Sequence, residues 1–373
     1  MQSDSKLYDC IIIGGGLAGL TLAIQLAEKK RNILVLEKNS YPFQKVCGEY
    51  ISMESWDFLE ELGANLRELN LPKINHLRVS AHEGFAIESM LELGGFGIRR
   101  FTLDHRLAKI AKECGVELLE NCSVINVQLE DENYTVETSS RTFKAKLVCG
   151  SYGKIEPSFV ERKNQAKGKY IGVKYHIKRS FPDNLIELHN FKDGYCGISK
   201  VDEEMYCLCY LTTTKNLNEN GNNIKQMEQN VLMKNPFLKT YFSESEFMNE
   251  KPIAISQIGF RKKTTYQNHV ILLGDAAGAI APLCGNGMSI AMRSSKMLAN
   301  YVEEFLNQKI SKQTLIERYT RDWNKNFSFR IKTGFYLQKL FGKRLTTLWM
   351  LKILNKTPRF LRKIIRLTHG EKF

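Results

Sequence analysis

Six residues near the start of the chain, Gly14-Gly15-Gly16-Leu17-Ala18-Gly19, and an acid 18 positions beyond them, Glu37, have the types and spacing to hold a dinucleotide. Gly14 permits a tight turn, Gly16 lets the backbone approach a pyrophosphate, and Gly19 lets a helix pack closely on a strand. A helix opening at Leu17 would aim its unpaired N–H groups at the phosphates, and Glu37 would accept hydrogen bonds from the adenosine ribose hydroxyls. This fingerprint alone does not separate NAD from FAD. A second run does: Gly274-Asp275-Ala276-Ala277-Gly278, continuing through Pro282 to Gly285-Asn286-Gly287-Met288. A carboxylate placed after a strand can hold a ribityl hydroxyl. A second glycine-rich helix start can stabilise the negative charge of reduced flavin at its N1/O2 edge.

Other candidate chemistry is sparser. Cys47 reads two ways: as a thiol that delivers a proton or gates substrate, or as a small residue that lets its loop pass close to a cofactor. Cys207 and Cys209 lie two apart in an apolar strand and so face one side, a core pattern without Cys-x-x-Cys or histidine spacing. None of the seven histidines forms a metal spacing or a nucleophile triad, and metal chemistry is not indicated.

The elements that must position these residues follow from hydrophobic pattern. Residues 8–13 and 32–37 read as buried strands flanking a helix at 17–30, a βαβ start. Residues 102–114 form a helix with Leu103, Leu107 and Ile110 on one face and Gly115 at its stop. Short strands are expected at 116–119, 124–129, 134–138 and 143–149, and antiparallel strands over 169–211 with turns at Pro182-Asp183-Asn184 and Lys192-Asp193-Gly194. A helix at 223–233 closes at Asn235-Pro236, 269–273 is again a buried strand, and the chain after Gly285 reads as mainly helical. A cofactor domain is thus interrupted by a sheet domain and then completed.

At 373 residues the chain can bury a full core and most simply makes two domains. With 43% hydrophobic and 25% charged residues it has the balance of an ordinary globular protein, and its long apolar runs are broken by glycines. The start, Met-Gln-Ser-Asp-Ser-Lys, lacks the basic n-region of a signal peptide. Nine cysteines, an odd number without a disulfide framework, suit a reducing compartment, and a cytoplasmic location is expected. The charge of +14 is uneven, because residues 301–373 carry 17 basic and 5 acidic side chains, or +12. That tail mixes Phe335, Leu340, Leu345, Trp349, Ile353, Phe360 and Ile364 with Lys343, Arg344, Lys352, Arg359, Arg362, Lys363 and Arg366. Such a pattern fits peripheral contact with anionic lipid or an acidic partner, or else a solvated face of helices packed on the body. No nucleic-acid motif accompanies it, so a nucleic-acid partner is not expected.

The two glycine runs, with Arg100-Phe101-Thr102-Leu103-Asp104-His105-Arg106-Leu107 between them, resemble the FAD-dependent family of p-hydroxybenzoate hydroxylase-like monooxygenases and geranylgeranyl reductases. In that family an Arg three residues before a Leu-Asp pair lies over the FAD diphosphate, and Arg100 matches. The run Lys45-Val46-Cys47-Gly48-Glu49-Tyr50-Ile51-Ser52 resembles the Cys-Gly segment of the reductase branch, which lines the flavin. The resemblance implies FAD contacts at Gly14, Gly16, Ala18, Gly19, Glu37, Lys45, Cys47, Gly48, Arg100, Val124, Asp275, Pro282, Gly285, Gly287 and Met288, with Cys47 as the candidate catalytic residue. Two departures stand out. The family's Asp-Gly after the strand ending at Cys149 reads Gly150-Ser151-Tyr152-Gly153, and around Tyr195-Cys196-Gly197-Ile198-Ser199 only the Tyr of the reductase Tyr-x-Trp-x-Phe-Pro pattern remains. A halogenase would want Trp-x-Trp-x-Ile-Pro there, which disfavours halogenation.

The implied fold class is α/β: a Rossmann-like FAD-binding domain (1–75, 99–168 and 262–300), an inserted antiparallel β-sheet substrate domain (76–98 and 169–261), and a basic helical C-terminal region (301–373). The implied function is an FAD-dependent oxidoreductase with NAD(P)H as electron donor, foremost a monooxygenase acting on a hydrophobic aromatic or polyketide-lipid substrate, free or bound to a carrier protein. A geranylgeranyl reductase-type enzyme that reduces C=C bonds is the alternative, and a non-catalytic flavin scaffold or electron carrier the third reading.

Overall fold

The computed structural model describes residues 2–160, 168–259, 263–281, 283 and 285–373. Cys10–Ile13 and Ile33–Leu36 are strands buried at every residue, as unbroken apolar runs between covering helices require. They are central in a six-stranded sheet of order Tyr266–Gln267, Val270–Leu272, Val148–Gly150, Cys10–Ile13, Ile33–Leu36, Glu117–Leu119. Every pairing is parallel except the first. From Cys10–Ile13 the chain winds to one edge and later resumes on the other side of that strand at Val148–Gly150. The topological switch point, where ligands of such sheets bind, therefore lies just beyond Ile13 and Gly150.

The helices are α1 (Leu17–Glu28), α2 (Trp56–Glu61), α3 (Arg100–Glu113), α4 (Thr214–Glu219), α5 (Ile224–Asn230), α6 (Pro236–Glu244), α7 (Gly287–Leu306), α8 (Lys312–Leu340), α9 (Arg344–Lys356) and α10 (Pro358–Thr368). Helix α1 is buried over most of its length because α7 packs against it, and Thr21 Oγ1 meets Ser295 Oγ across that contact at 2.6 Å. Pro236 and Pro358 open α6 and α10, where a missing N–H costs nothing. No helix among the described residues is long and apolar enough to cross a membrane.

A four-stranded sheet (Gln2–Tyr8, Arg141–Ala145, Asn133–Thr138, Val124–Glu130) covers one side. The third sheet, of nine strands, is the inserted one. Its core is Tyr170–Lys178, Tyr206–Thr213, Gly194–Lys200 and Leu185–Phe191, paired antiparallel in that order. Leu185–Phe191 then pairs in parallel with Lys73–Ser80, the one departure from the antiparallel expectation in this sheet, made possible because these two strands are 105 or more residues apart in the chain. From within 1–75 the sheet also takes Tyr50–Ser52, which pairs with Gly95–Gly97 at the end of Ala86–Gly97, and the first three residues of Lys73–Ser80, which pairs with the same strand.

Two local expectations change. The single strand at 143–149 is two, Arg141–Ala145 and Val148–Gly150, because the first completes a hairpin in the four-stranded sheet while the second joins the parallel sheet. The helix expected at 223–233 stops at Asn230 and gives way to a short turn of 3-10 helix, Leu232–Lys234.

Candidate functional site

One cavity of about 860 Å³ runs from the switch point to the underside of the C-terminal helices. Of the residues singled out in the sequence, Gly14, Gly16, Ala18, Glu37, Lys45, Cys47, Gly48, Arg100, Val124, Asp275, Gly285, Gly287 and Met288 line it. Gly19 does not reach it. Pro282 lies outside the described residues.

At the first end, the three glycines of the cradle are required for different reasons. Gly14 has φ +105° and a Cβ there would stand 2.8 Å from the Ser151 carbonyl oxygen, while a Cβ on Gly19 would stand 2.1 Å from the Gly14 carbonyl oxygen. Both positions must be glycine for the protein's own packing. Gly16 is otherwise: the nearest atoms to a Cβ there are Lys45 Nζ at 3.7 Å and Arg100 Nη2 at 4.0 Å. Protein packing leaves open space in front of the α1 N-terminus, bounded by two cations, which fits a diphosphate. The serine that replaces the family's Asp-Gly carboxylate has a structural task of its own. Ser151 N donates to the Ile13 carbonyl at 2.8 Å, and its hydroxyl donates to the Gly14 carbonyl, stitching the two switch-point strands together.

Glu37 is buried and accepts from Gly15 N at 2.8 Å and Asn39 N at 3.0 Å. Glu37 Oε1 also accepts from Asn39 Nδ2 at 2.8 Å, so the remaining capacity for a ribose hydroxyl lies at Oε2, whose one partner is Gly15 N. Lys45 and Arg100 are both held by Asp104, which takes Lys45 Nζ at 2.8 Å and a bidentate pair from Arg100 at 2.7 and 2.8 Å. Burial pushes the Asp104 carboxyl up, but Arg100 and then Lys45 outweigh it and hold the group below its usual range. One buried anion thus fixes two cations and leaves a net positive charge facing Gly16.

At the middle of the cavity the Cys47-Gly48-Glu49 loop meets the start of α7. Cys47 Sγ lies 3.7 Å from Met288 Sδ and accepts from Glu49 N at 3.4 Å. A Cβ on Gly287 would touch nothing closer than Ile280 at 3.7 Å, so the first N–H groups of the 20-residue α7 also face open space. Asp275 lies 3.8 Å from Lys154 Nζ. These features fit the flavin half of FAD: a free helix N-terminus for the electron-rich edge and a carboxylate beside it for a polyol.

A buried ion cluster under this loop has no counterpart in the sequence expectations. Glu49, fully buried, accepts from Lys174 Nζ at 2.7 Å, from Arg100 N at 2.9 Å and contacts His176 Nε2 at 2.6 Å. Burial raises the Glu49 carboxyl, yet the His176 hydrogen bond and the Lys174 charge overcome it and hold the group below its ordinary value. For Lys174 burial lowers and Glu49 raises, with a net rise. The sequence carries a partial signal: Lys174 and His176 are the polar side chains with charge among the otherwise apolar residues 170–177 and have the same parity, so both point to one face. Glu49, His176 and Cys207 offer donor atoms within 4.8 Å of one another, but the Lys174 ammonium already supplies the positive charge there. Of the cysteine pair expected in the core, Cys207 is buried, whereas Cys209 borders the cavity and burial pushes its thiol up to about 12.

This cluster makes stability depend on acid. A carboxylate held below its ordinary range contributes stability that is present above the unfolded value, about pH 4.3, and is lost as pH falls through the folded value. The thermal midpoint of the protein should therefore exceed that of Glu49→Gln at neutral pH, and the gap should shrink as pH falls below the unfolded value of about 4.3. A gap that stays constant across that range would show that folding does not shift the Glu49 carboxyl, and one that shrinks as pH rises above about 4.3 would show that the folded carboxyl is protonated.

Residues 12–65 match the model of the NAD(P)-binding Rossmann-like domain. Among solved structures, the flavin-dependent brominase Bmp2 superposes with a TM-score of 0.80 at 18% identity over 97% of this chain and 93% of that one. The chain has the fold of the FAD-dependent oxidoreductases. Two curated relatives extend along nearly all of it. The conditioned medium factor receptor 1 of Dictyostelium discoideum is 26% identical over 87% of this chain and 69% of its own length. Digeranylgeranylglycerophospholipid reductase 2 of Methanopyrus kandleri is 23% identical over 90% and 87%. The flavoprotein fold that the glycine runs and the Arg100 segment imply is the one observed, including the inserted sheet and helical tail.

Proposed function

We propose that this FAD-dependent oxidoreductase fold acts on a long apolar lipid chain, reducing a carbon–carbon double bond with electrons from NAD(P)H. The observation that carries the reading is the continuity of the cavity. It joins the diphosphate cradle to a chamber walled by aliphatic side chains, among them Leu77, Val79, Ile87, Leu188, Leu351 and Leu361. A chamber lined by aliphatics between sheet and helices recognises an apolar chain, not polar groups. The relatives named as digeranylgeranylglycerophospholipid reductases, aligned along nine-tenths of the chain, support the same substrate class.

FAD, when bound, supplies two-electron transfer. The chain's own residues do the rest. Lys45 and Arg100 would hold the diphosphate, the α7 N-terminus would offer its N–H groups to the flavin, and the aliphatic walls would keep water away from the reacting carbons. Reduction adds a hydride and a proton, and in this reading the Cys47 thiol, which lines the cavity beside Met288, gives the proton. Hydroxylation of an aromatic or polyketide lipid is the competing reading and would use the same chamber. Reduction is favoured over it because Cys47 and Met288 border the cavity side by side, where an activated-oxygen species would meet a thiol and a thioether.

The two are separated by incubating the FAD-loaded protein with NAD(P)H and candidate polyprenyl or aromatic lipids, with and without oxygen, and weighing the product. Reduction predicts a gain of two hydrogens that survives anaerobiosis. A gain of one oxygen, abolished without air, selects hydroxylation. Bound FAD with no substrate-stimulated NAD(P)H oxidation would leave an electron carrier.

A further inference from the structure

Helices α9 and α10 have two apolar faces, of which only one is used inside the protein. The inner face carries Leu351, Leu354 and Leu361, which pack on Val79 and Ile87 of the nine-stranded sheet and line the far end of the cavity. On the other side Leu345, Trp349 and Ile353 are 68%, 62% and 58% exposed, spaced four apart and so stacked on one face of α9, and Phe360 of α10 is 54% exposed. Exposed bulky side chains in a row mark a surface that meets something apolar. The charge around them states what kind. Lys343, Arg344, Lys352, Lys356, Arg359, Arg362, Lys363 and Arg366 surround the stripe, with no acidic residue anywhere in 343–370. Arg344 and Arg366 reach Glu83 and Glu92, while the other six make no ion pair among the described residues.

We propose that the outer face of α9 and α10 docks on an anionic lipid bilayer. Apolar side chains with a tryptophan among them, ringed by lysine and arginine, suit the boundary between acyl chains and negatively charged headgroups. Helix α9 has 13 residues, or roughly 20 Å of helix at 1.5 Å per residue, too short for the ~30 Å hydrocarbon core, so it lies in the interface. An acidic protein would answer the charges but not the aliphatic row of Leu345 and Ile353. Because the opposite faces of these same helices wall the cavity, docking would put the chamber directly over the membrane. That consequence rests on the lipid-chain reading above; the docking itself does not.

The full-length protein is sedimented with vesicles of phosphatidylcholine alone and of phosphatidylcholine with ~30% phosphatidylglycerol. Partition into the anionic vesicles should be at least about tenfold stronger and should weaken as salt is raised. Emission from Trp349, assigned by its loss in Trp349→Phe, should shift to the blue on binding. Lys352→Glu with Lys356→Glu should lower partition by on the order of 10- to 100-fold, and Ile353→Glu with Phe360→Glu by about tenfold or more. All four residues are exposed, so FAD content and thermal midpoint should be unchanged. Equal partition into both vesicle types, no partition into either, binding to polyglutamate in place of vesicles, or a Trp349 emission that stays water-like would each overturn the proposal. None of these readouts requires turnover, so they stand apart from failure of the proposed reaction.

Discussion

Replacing Gly16 with valine is expected to give a folded but colourless protein. The backbone at Gly16 has φ −84° and ψ −174°, extended values open to any residue. A side chain there also finds space, since nothing in the protein comes within 3.7 Å of the Cβ position. That space is the one in which the first N–H groups of α1, Lys45 and Arg100 converge. Two methyl groups placed in it would hold a diphosphate away from hydrogen bonds to charge that are worth about 1.5–3 kcal/mol each. Loss of two such bonds weakens FAD by a factor of about 100 or more. The measurement is flavin absorbance per mole of purified protein and titration of the apoprotein with FAD, with far-ultraviolet circular dichroism as the check on folding. Gly19→Ala makes the contrast: its Cβ would stand 2.1 Å from the Gly14 carbonyl oxygen, so that variant should lose stability as well as cofactor. If Gly16→Val retained full FAD, the diphosphate would lie elsewhere and the assignment of the cavity would fall.

The second large effect is expected at Lys174. Replacement by methionine keeps the length of the side chain and removes the charge that offsets Glu49, which is fully buried. An uncompensated buried carboxylate costs about 3–5 kcal/mol. The contribution is not that of a salt bridge as such, because a buried pair gains little over a neutral one. Lys174→Met with Glu49→Gln should therefore recover a good part of the loss, with a coupling of about 2 kcal/mol or more between the two positions. Denaturant unfolding of the wild type, the two single variants and the double variant measures it. A single Lys174→Met variant within ~0.5 kcal/mol of wild type would mean that the carboxyl is already protonated or that His176, 2.6 Å from it, carries the compensating charge. Because Glu49 also accepts from Arg100 N and carries the Cys47 loop, FAD affinity should fall alongside stability in the single variant and return with it in the double.

Both effects bear on how the site was read from the sequence. Gly16 was legible because the cradle is contiguous: a buried strand, a turn and a helix start within ten residues, each with a backbone demand that only certain residue types meet. The same holds for the run from Gly274 to Met288, where a strand, a carboxylate and a helix start follow one another. Arg100 was legible only through family resemblance, and what fixes it, a buried Asp104 shared with Lys45, needed the folded chain. Glu49 lies within the Cys47 segment, but nothing in that segment marks it as part of a charge cluster. Its partners stand 125 and 127 residues away in sequence, and no local pattern announces a pairing across that distance.

The tail shows the same division. Its basic, apolar composition is plain in the sequence, but two uses fit that composition, packing on the body and contact with an outside surface. The structure shows the first and leaves a face open for the second, since Leu351, Leu354 and Leu361 turn inward while Leu345, Trp349 and Ile353 turn out.

By itself, then, the sequence determined the βαβ cradle, the second glycine turn, the inserted sheet and the helical, positively charged end. These are set by short-range rules: side-chain periodicity, glycine's freedom at a turn, and the unpaired N–H groups of a helix start. Only the tertiary structure decided that 143–149 splits between two sheets, that Leu185–Phe191 runs parallel to Lys73–Ser80, that Lys174 neutralises Glu49, and that the cavity continues under α9 and α10. Each of those depends on which distant strand or helix becomes a neighbour, and that choice is made by burying the most apolar surface over the whole chain at once.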